Sequence, residues 1–227
     1  SRYSNHTNNK IGDTNITWID DYNETKDQLI LQTDLKIPLA GNYSLNVGFK
    51  YDYKDNQSEM ETNRFDGSLI WSNSYYYKEN IGAGYTTFST STDKYALTAG
   101  LRAEYSNTDS WSNTFSDKNI HGDIFPNAII KYNISSDLSL KLSYSMNIYR
   151  PSFSDLNPTA NYIDSLFYRI GNPDLKAEKK HNITLKTIFK GTSLGISYTR
   201  QIDPIAWILA QDAQKPTVSR SIKRNLD

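Results

Sequence analysis

The chain contains no cysteine and only two methionines among its 227 residues. Disulfide frameworks, thiol nucleophiles and cysteine metal sites are therefore excluded. Long hydrophobic runs are also missing. The longest, Ile205 to Ala210, has six residues, far below the ~20 that a membrane-spanning helix requires. Neither sign of charge is in excess, with 25 basic and 25 acidic residues, so nothing points to nucleic acid as a partner. The three histidines, His6, His121 and His181, lie far apart and match no metal-ligand spacing, so neither a metal site nor a cofactor is expected. No G-x-S-x-G, H-E-x-x-H or phosphate-loop pattern occurs, which makes an enzyme the least expected class. Mean hydropathy is −0.66, a value that a hydropathy scan reads as water-soluble. That reading does not reach β-barrels, whose strands give lipid only every second residue.

What the chain does have is alternation. Tyr95, Leu97, Ala99, Leu101, Ala103 and Tyr105 are interleaved with Ala96, Thr98, Gly100, Arg102, Glu104 and Ser106. Leu138, Leu140, Leu142, Tyr144, Met146 and Ile148 repeat the pattern against Ser139, Lys141, Ser143, Ser145 and Asn147. Successive side chains of a strand point to opposite faces, so each segment carries one apolar and one polar wall. Lys50, Asp52 and Lys54 oppose Phe49, Tyr51 and Tyr53 in the same way. Charges at that density suit a water-filled lumen and are costly against lipid.

The pattern predicts about ten strands, at 1–9, 28–38, 43–55, 75–89, 95–108, 122–133, 138–149, 179–190, 193–203 and 218–227. Tight turns rich in Gly, Asn, Asp, Ser and Thr join some of them, at 39–42, 90–94, 134–137 and 191–192. The other connections are long: 10–27, 56–74, 109–121, 150–178 and 204–217. Up-and-down order then sorts short turns to one end and long loops to the other, the asymmetry of outer-membrane barrels. A twelve-residue strand rises about 40 Å at ~3.3 Å per residue and, tilted by roughly 40°, covers about 30 Å of bilayer. The expected fold class is all-β, an antiparallel up-and-down transmembrane barrel wall over residues 1–227, without a plug domain. The start at Ser1 and the end at Asp227, in mid-pattern, read as those of a fragment.

Aromatic residues make up 13%, with 17 Tyr, which suits both strands and bilayer interfaces. All four tryptophans, Trp18, Trp71, Trp111 and Trp207, fall in the expected long loops. They read as an interfacial girdle or loop packing, with a ligand-contacting mouth as the sharper alternative. The carboxylate pairs Asp20 with Asp21, Glu59 with Glu61, and Asp155 with Asp164 read as solvated loop charge.

One segment is not generic. It carries Arg150-Pro151, Asp155-Leu156-Asn157-Pro158, then Gly171-Asn172-Pro173, Leu175 and Glu178. This order resembles TonB-dependent outer-membrane receptors, in particular the Bacteroidetes outer-membrane β-barrel family related to SusC-like transporters. Gly100-Leu101-Arg102 with Glu104, Phe125-Pro126, and Tyr198 to Ile205 are similar to that family as well. Ala177 departs from it, standing where the family commonly has proline. The likeness covers roughly residues 75–227; the first 74 fit by alternation only. Physically, each proline removes an amide donor and ends a ladder, and Gly171 with Asn172-Pro173 makes a tight bend. These residues (Arg150, Pro151, Asp155, Asn157, Pro158, Gly171, Asn172, Pro173 and Glu178) read as loop architecture without substrate contact.

The resemblance implies a plugged barrel of about 22 strands in the bacterial outer membrane, of which this chain is an arc. It further implies import of a siderophore, oligosaccharide, peptide or vitamin complex, driven by TonB through the plug. Outer-membrane lipid and, as a further partner, a surface lipoprotein follow from the same likeness. Ligand contact is placed in 109–121 and 150–178, with Trp111, Tyr162, Tyr168 and Arg169 as candidates. Two rival classes stay open: a passive porin or structural barrel, and a soluble β-rich binding module whose apolar strand faces pack on a second sheet.

Overall fold

The computed structural model describes the backbone of residues 2–11, 14–64, 68–164 and 166–226, and side chains within 21–63, 68–163 and 166–226. Among the described residues thirteen strands and one short helix follow in order. They are β1 (Arg2–Ile11), β2 (Thr14–Pro38), β3 (Tyr43–Arg64), β4 (Leu69–Ser91), β5 (Tyr95–Ser112), β6 (Ser116–Asn133) and β7 (Leu138–Tyr149). Next come α1 (Phe153–Leu156), β8 (Asn161–Asp164), β9 (Phe167–Ile170), β10 (Glu178–Phe189), β11 (Thr192–Ile202), β12 (Ile205–Gln211) and β13 (Ser219–Asn225).

Nine strands form one open antiparallel sheet in the order β1-β2-β3-β4-β5-β6-β7-β10-β11. Chain neighbours are sheet neighbours except where the segment between β7 and β10 leaves the wall. Register runs without a break through most pairs, for example Leu97↔Ile130, Tyr144↔Ala128 and Ile183↔Tyr144. Turn chemistry supports it. Lys190 and Gly191, at φ 45° and 81°, make the two-residue hairpin between β10 and β11 that needs left-handed backbone at both positions.

The two faces sort as the alternation requires. Leu101, Ile124, Ile130, Leu142, Ile183, Leu185, Leu194 and Ile196 share one face and are exposed, Leu194 to 73%. Among the described residues no helix or second layer covers them, which is not how a soluble sandwich treats its strands. The opposite face carries Lys54, Glu79, Arg102, Glu104, Asn127, Ser145 and Asn182.

Three expectations need correction. Segments 10–27, 56–74 and 109–121 are mostly strand. β2 alone has 25 residues, some 80 Å of chain at ~3.3 Å per residue, far beyond a ~30 Å bilayer core. Above the apolar band the hairpins keep pairing with Ser, Thr, Asn, Asp and Glu on both faces. Backbone ladders need no apolar alternation, so the sequence pattern lost the strands there while the hydrogen bonds continued. For the same reason Trp71 and Trp111 lie in β4 and β5 and the backbone of Trp18 in β2, while Trp207 lies in β12, outside the wall. Finally, 218–227 is not a wall strand. β13 joins β12, β9 and β8 in a second, four-stranded sheet, where β13 runs parallel to β9.

Candidate functional site

The segment between β7 and β10 folds back over the polar face of β3, β4 and β5, and its landing point is specific. Ser152 and Asp155 form a capping box at α1. The Ser152 side chain accepts from the Asp155 amide, and the Asp155 carboxylate accepts from the Ser152 amide. The helix presents Phe153 to Tyr75 and Tyr77, at ring-centroid distances of 5.1 and 6.4 Å, with Phe115 and Leu156 packed around them. Tyr75 is fully buried, so a strand residue far from the loop in sequence forms the floor beneath it.

Polar contacts fix the same landing. Asn157 donates from Nδ2 to Ser58 Oγ at 2.9 Å, and Asn73 donates from Nδ2 to Thr159 Oγ1 at 2.6 Å. The Gly171 amide donates to the Asn157 carbonyl at 2.9 Å and the Asn172 amide to the Asp155 carbonyl at 2.7 Å. A Cβ at Gly171 would stand 2.4 Å from that carbonyl oxygen and 2.8 Å from the carbonyl oxygen of Asp155. Glycine is required there for close approach of two backbones. Pro158 follows the turn half-buried, and Leu175, past Pro173, is buried.

At the loop's base, Arg150 donates to Glu104 Oε2 at 2.7 Å, and Arg102 donates to Glu104 Oε1 at 2.5 Å. Lys54 donates to Glu79 Oε2 at 2.6 Å, and Tyr77 donates to Glu79 Oε1 at 3.1 Å. Glu79 is 2% exposed, so both carboxylates are nearly dry and each depends on its cations. A cleft of about 220 Å³ opens here. Its charged lining is Lys50, Lys54, Arg102 and Arg150 against Asp52 and Glu104, an excess of cations. A second cleft of about 270 Å³ shares Lys54 with it and reaches Lys26 and Gln28.

The small sheet is tied to the loop. Lys223 pairs with Asp155 at 2.8 Å, and Asn172 donates to the Lys223 carbonyl at 3.1 Å. Glu178 accepts from Gln201 at 2.7 Å and from the Ile205 amide at 3.1 Å, bracing the bend at Asp203, φ 53°. Burial raises the Asp155 pKa, yet the Lys223 ammonium and the Ser152 amide and hydroxyl outweigh it, so the carboxyl is held below its ordinary value. Tyr168 is buried and donates to Asp212 at 2.5 Å. Burial and that carboxylate raise the phenol, while the phenol's hydrogen bond lowers Asp212.

Of the candidate ligand residues, Tyr162 and Tyr168 come together with ring centroids 5.1 Å apart, and exposed Arg169 is next to Tyr168 in β9. Trp111 does not join them. It stacks on Tyr76 at 5.1 Å and 7° under Lys78, on the opposite face of the wall from the loop's landing. Sequence reasoning did not single out Ser58, Asn73, Glu79, Lys223 or Asp212, and it named Glu104 only as part of the strand motif with Arg102. Charges inside the alternation hinted at Glu79 and Glu104, but no local signal joins Ser58 to a residue 99 positions later. Among the described residues, no group of three or more His, Asp or Glu is placed to hold a metal ion.

A strand wall with one bare apolar face and one polar face holding a folded loop is found where lipid replaces a second layer. A profile of the outer membrane protein beta-barrel family matches residues 1–227. The chain belongs to that family. Its place is accordingly the bacterial outer membrane, with Leu101 and Leu142 toward lipid and Glu79 and Glu104 toward the lumen. Among solved structures, this family member is similar to the ferric yersiniabactin uptake receptor FyuA from Yersinia pestis. Identity there is 16% over 84% of this chain and 31% of that one, with a TM-score of 0.61. It is also similar to the copper transporter OprC, at 10% identity over 94% and 34%, with a TM-score of 0.65. The alcaligin outer membrane receptor FauA from Bordetella pertussis matches at 16% over 92% and 35%, with a TM-score of 0.53. The chain spans about a third of the length of these proteins, and at such identities the likeness is one of fold. No curated protein sequence matches it.

Proposed function

We propose that this chain is part of a TonB-dependent outer-membrane receptor that imports a scarce nutrient. The observation that carries the proposal is the inward-folded loop. The loop is seated on the polar face of the wall, where Phe153 of α1 packs on Tyr75 and Tyr77 and Asn157 binds Ser58. The solved proteins of like fold are named for uptake of ferric yersiniabactin, transport of copper and reception of alcaligin, which favours the same class of work. In this reading a plug domain occupies the intact barrel and TonB acts on it. The motifs from Arg150 to Glu178 favour placement among SusC-related receptors, for which a surface lipoprotein is a partner.

Ligand capture is assigned to the loop side of the wall. Tyr162, Tyr168 and Arg169 offer aromatic faces and a cation on the small sheet, while Trp111 offers a second aromatic platform on the outer side of the hairpins. The cation-rich cleft at Arg150 and Arg102 suits an anionic group on the incoming solute. The test uses the intact protein in outer membranes. Accumulation of the solute stops when the proton gradient is collapsed or TonB is deleted. Flux that survives both treatments unchanged would identify a passive pore instead.

A further inference from the structure

The lipid-facing side of β7, β10 and β11 is mostly apolar, and one cation on it stands alone. On β11, Leu194, Ile196 and Tyr198 point outward, and Arg200 continues the same row. Its cross-strand partner on β10 is His181, on the same face. Arg200 is exposed, and among the described residues no side chain pairs with it. The arginines of the lumen side differ, since Arg102 and Arg150 both close on Glu104. No acid is close at hand either. The outward positions of β7, β10 and β11 include no Asp or Glu, and Lys179, the other cation there, is taken by Asp123.

Height on the wall identifies what the pair meets. Phe189 lies opposite Thr192, and the Lys190–Gly191 hairpin marks the short-turn end of these strands. Arg200 is eight residues beyond Thr192, about 26 Å along the strand at ~3.3 Å per residue. At a tilt of roughly 40° that is about 20 Å of height, against an apolar band ~25 Å tall. A lipid-facing arginine is costly at mid-bilayer and nearly free at the rim, where its head reaches the phosphate layer. Arg200 is therefore at the outer-leaflet rim, the end far from the short turns.

The donor chemistry suits a phosphate. A guanidinium presents paired N–H groups that match phosphate oxygens. His181 adds a second donor. Its Nδ1 is 2.9 Å from the Tyr144 hydroxyl and the two rings stack at 6.2 Å, which fixes the imidazole. With Tyr144 donating to Nδ1, the ring proton is on Nε2 and can serve an anion. Tyr198, 63% exposed on the same face, is the residue type that sits at headgroup level. This face looks away from the lumen and the folded loop, so an imported solute does not pass it.

We propose that Arg200 and His181, braced by Tyr144, bind the phosphate group of an outer-leaflet lipid on the outside of the wall. The inference requires the outer-membrane placement and is independent of what the receptor imports.

Native mass spectrometry of the full-length protein in detergent tests it, with diphosphorylated lipid A and its dephosphorylated form as probes. The wild-type protein should retain the phosphorylated lipid roughly 10-fold to 100-fold more tightly, the range of one charge-assisted pair. Arg200→Gln should abolish that preference, and Arg200→Lys should keep part of it. Lys186→Gln, an equal loss of charge on the lumen face, should leave it intact. Arg200→Gln removes a charge from a lipid-facing position, so the barrel itself is not put at risk. Equal retention of both lipids by the wild type would overturn the proposal. A loss in Lys186→Gln as large as in Arg200→Gln would do the same. If millimolar inorganic phosphate displaces the lipid, the site serves a free anion and the proposal also falls. The transport reading survives each of these outcomes.

Discussion

Gly171→Ala is the sharpest test of how the loop is held. The added Cβ would meet the Asn157 carbonyl oxygen at 2.4 Å, its amide nitrogen at 2.7 Å and the Asp155 carbonyl oxygen at 2.8 Å. All three are backbone atoms of a turn clamped by the capping box and by Asn157 on Ser58, so no side chain can swing aside to relieve the contact. Overpacking of this kind costs ~1–3 kcal/mol, and the two amide bonds from Gly171 and Asn172 contribute ~1 kcal/mol each, for a total of about 3–5 kcal/mol. The cost falls on the loop and not on the wall, whose ladders lie elsewhere. Hydrogen exchange at the Gly171 and Asn172 amides of the full-length protein should accelerate by roughly 140-fold to 4,000-fold, at one decade per ~1.4 kcal/mol. Limited proteolysis within 150–178 should accelerate in parallel. Gly82→Ala is the control, because a Cβ there meets nothing within 4 Å. If Gly171→Ala leaves both rates as they are in Gly82→Ala, the close approach is not what seats the loop.

Other outcomes follow from the same geometry. Leu142→Lys, on the apolar face, should destabilise folding into lipid vesicles by ~2–4 kcal/mol in a urea titration, whereas Ser145→Lys on the polar face should change it little. Glu104→Gln strands two guanidinium groups and should cost about 1–3 kcal/mol. The cost should shrink in an Arg150→Met background if that pair carries the effect, as a double-mutant cycle will show. Because the Asp155 pKa is depressed by Lys223 and Ser152, its anchoring is complete above the ordinary carboxylate pKa of ~3.9 and is lost as pH falls through the lower, folded value. Loop protection against an acid-stable protease should therefore stay flat from neutral pH down to about pH 5 and fall only in more acidic buffer. Asp155→Asn should remove that acid step.

Alternation in Tyr95–Tyr105 and Leu138–Ile148 was enough, without any coordinates, to assign two faces, the short turns and the barrel class. The reason is that the pleat forces period two and lipid accepts only one of the two faces. The lower halves of the long hairpins were legible for the same reason. Their upper halves were not, since Thr14–Gln28 or Gln57–Arg64 pairs through backbone amides that any polar sequence offers. The loop motif from Arg150 to Glu178 could be read as architecture, and the ion pair to Glu104 and the bond to Ser58 give that architecture its partners. Those partners lie 46 and 99 residues away, and no local pattern encodes a distance of that kind. Tertiary structure alone decided that 219–225 leaves the wall to pair in parallel with 167–170, because strand partnership depends on which edges meet in space. It alone also set Arg200 opposite His181 on the lipid-facing side, a register fixed by turn geometry and seen only once the ladders are formed.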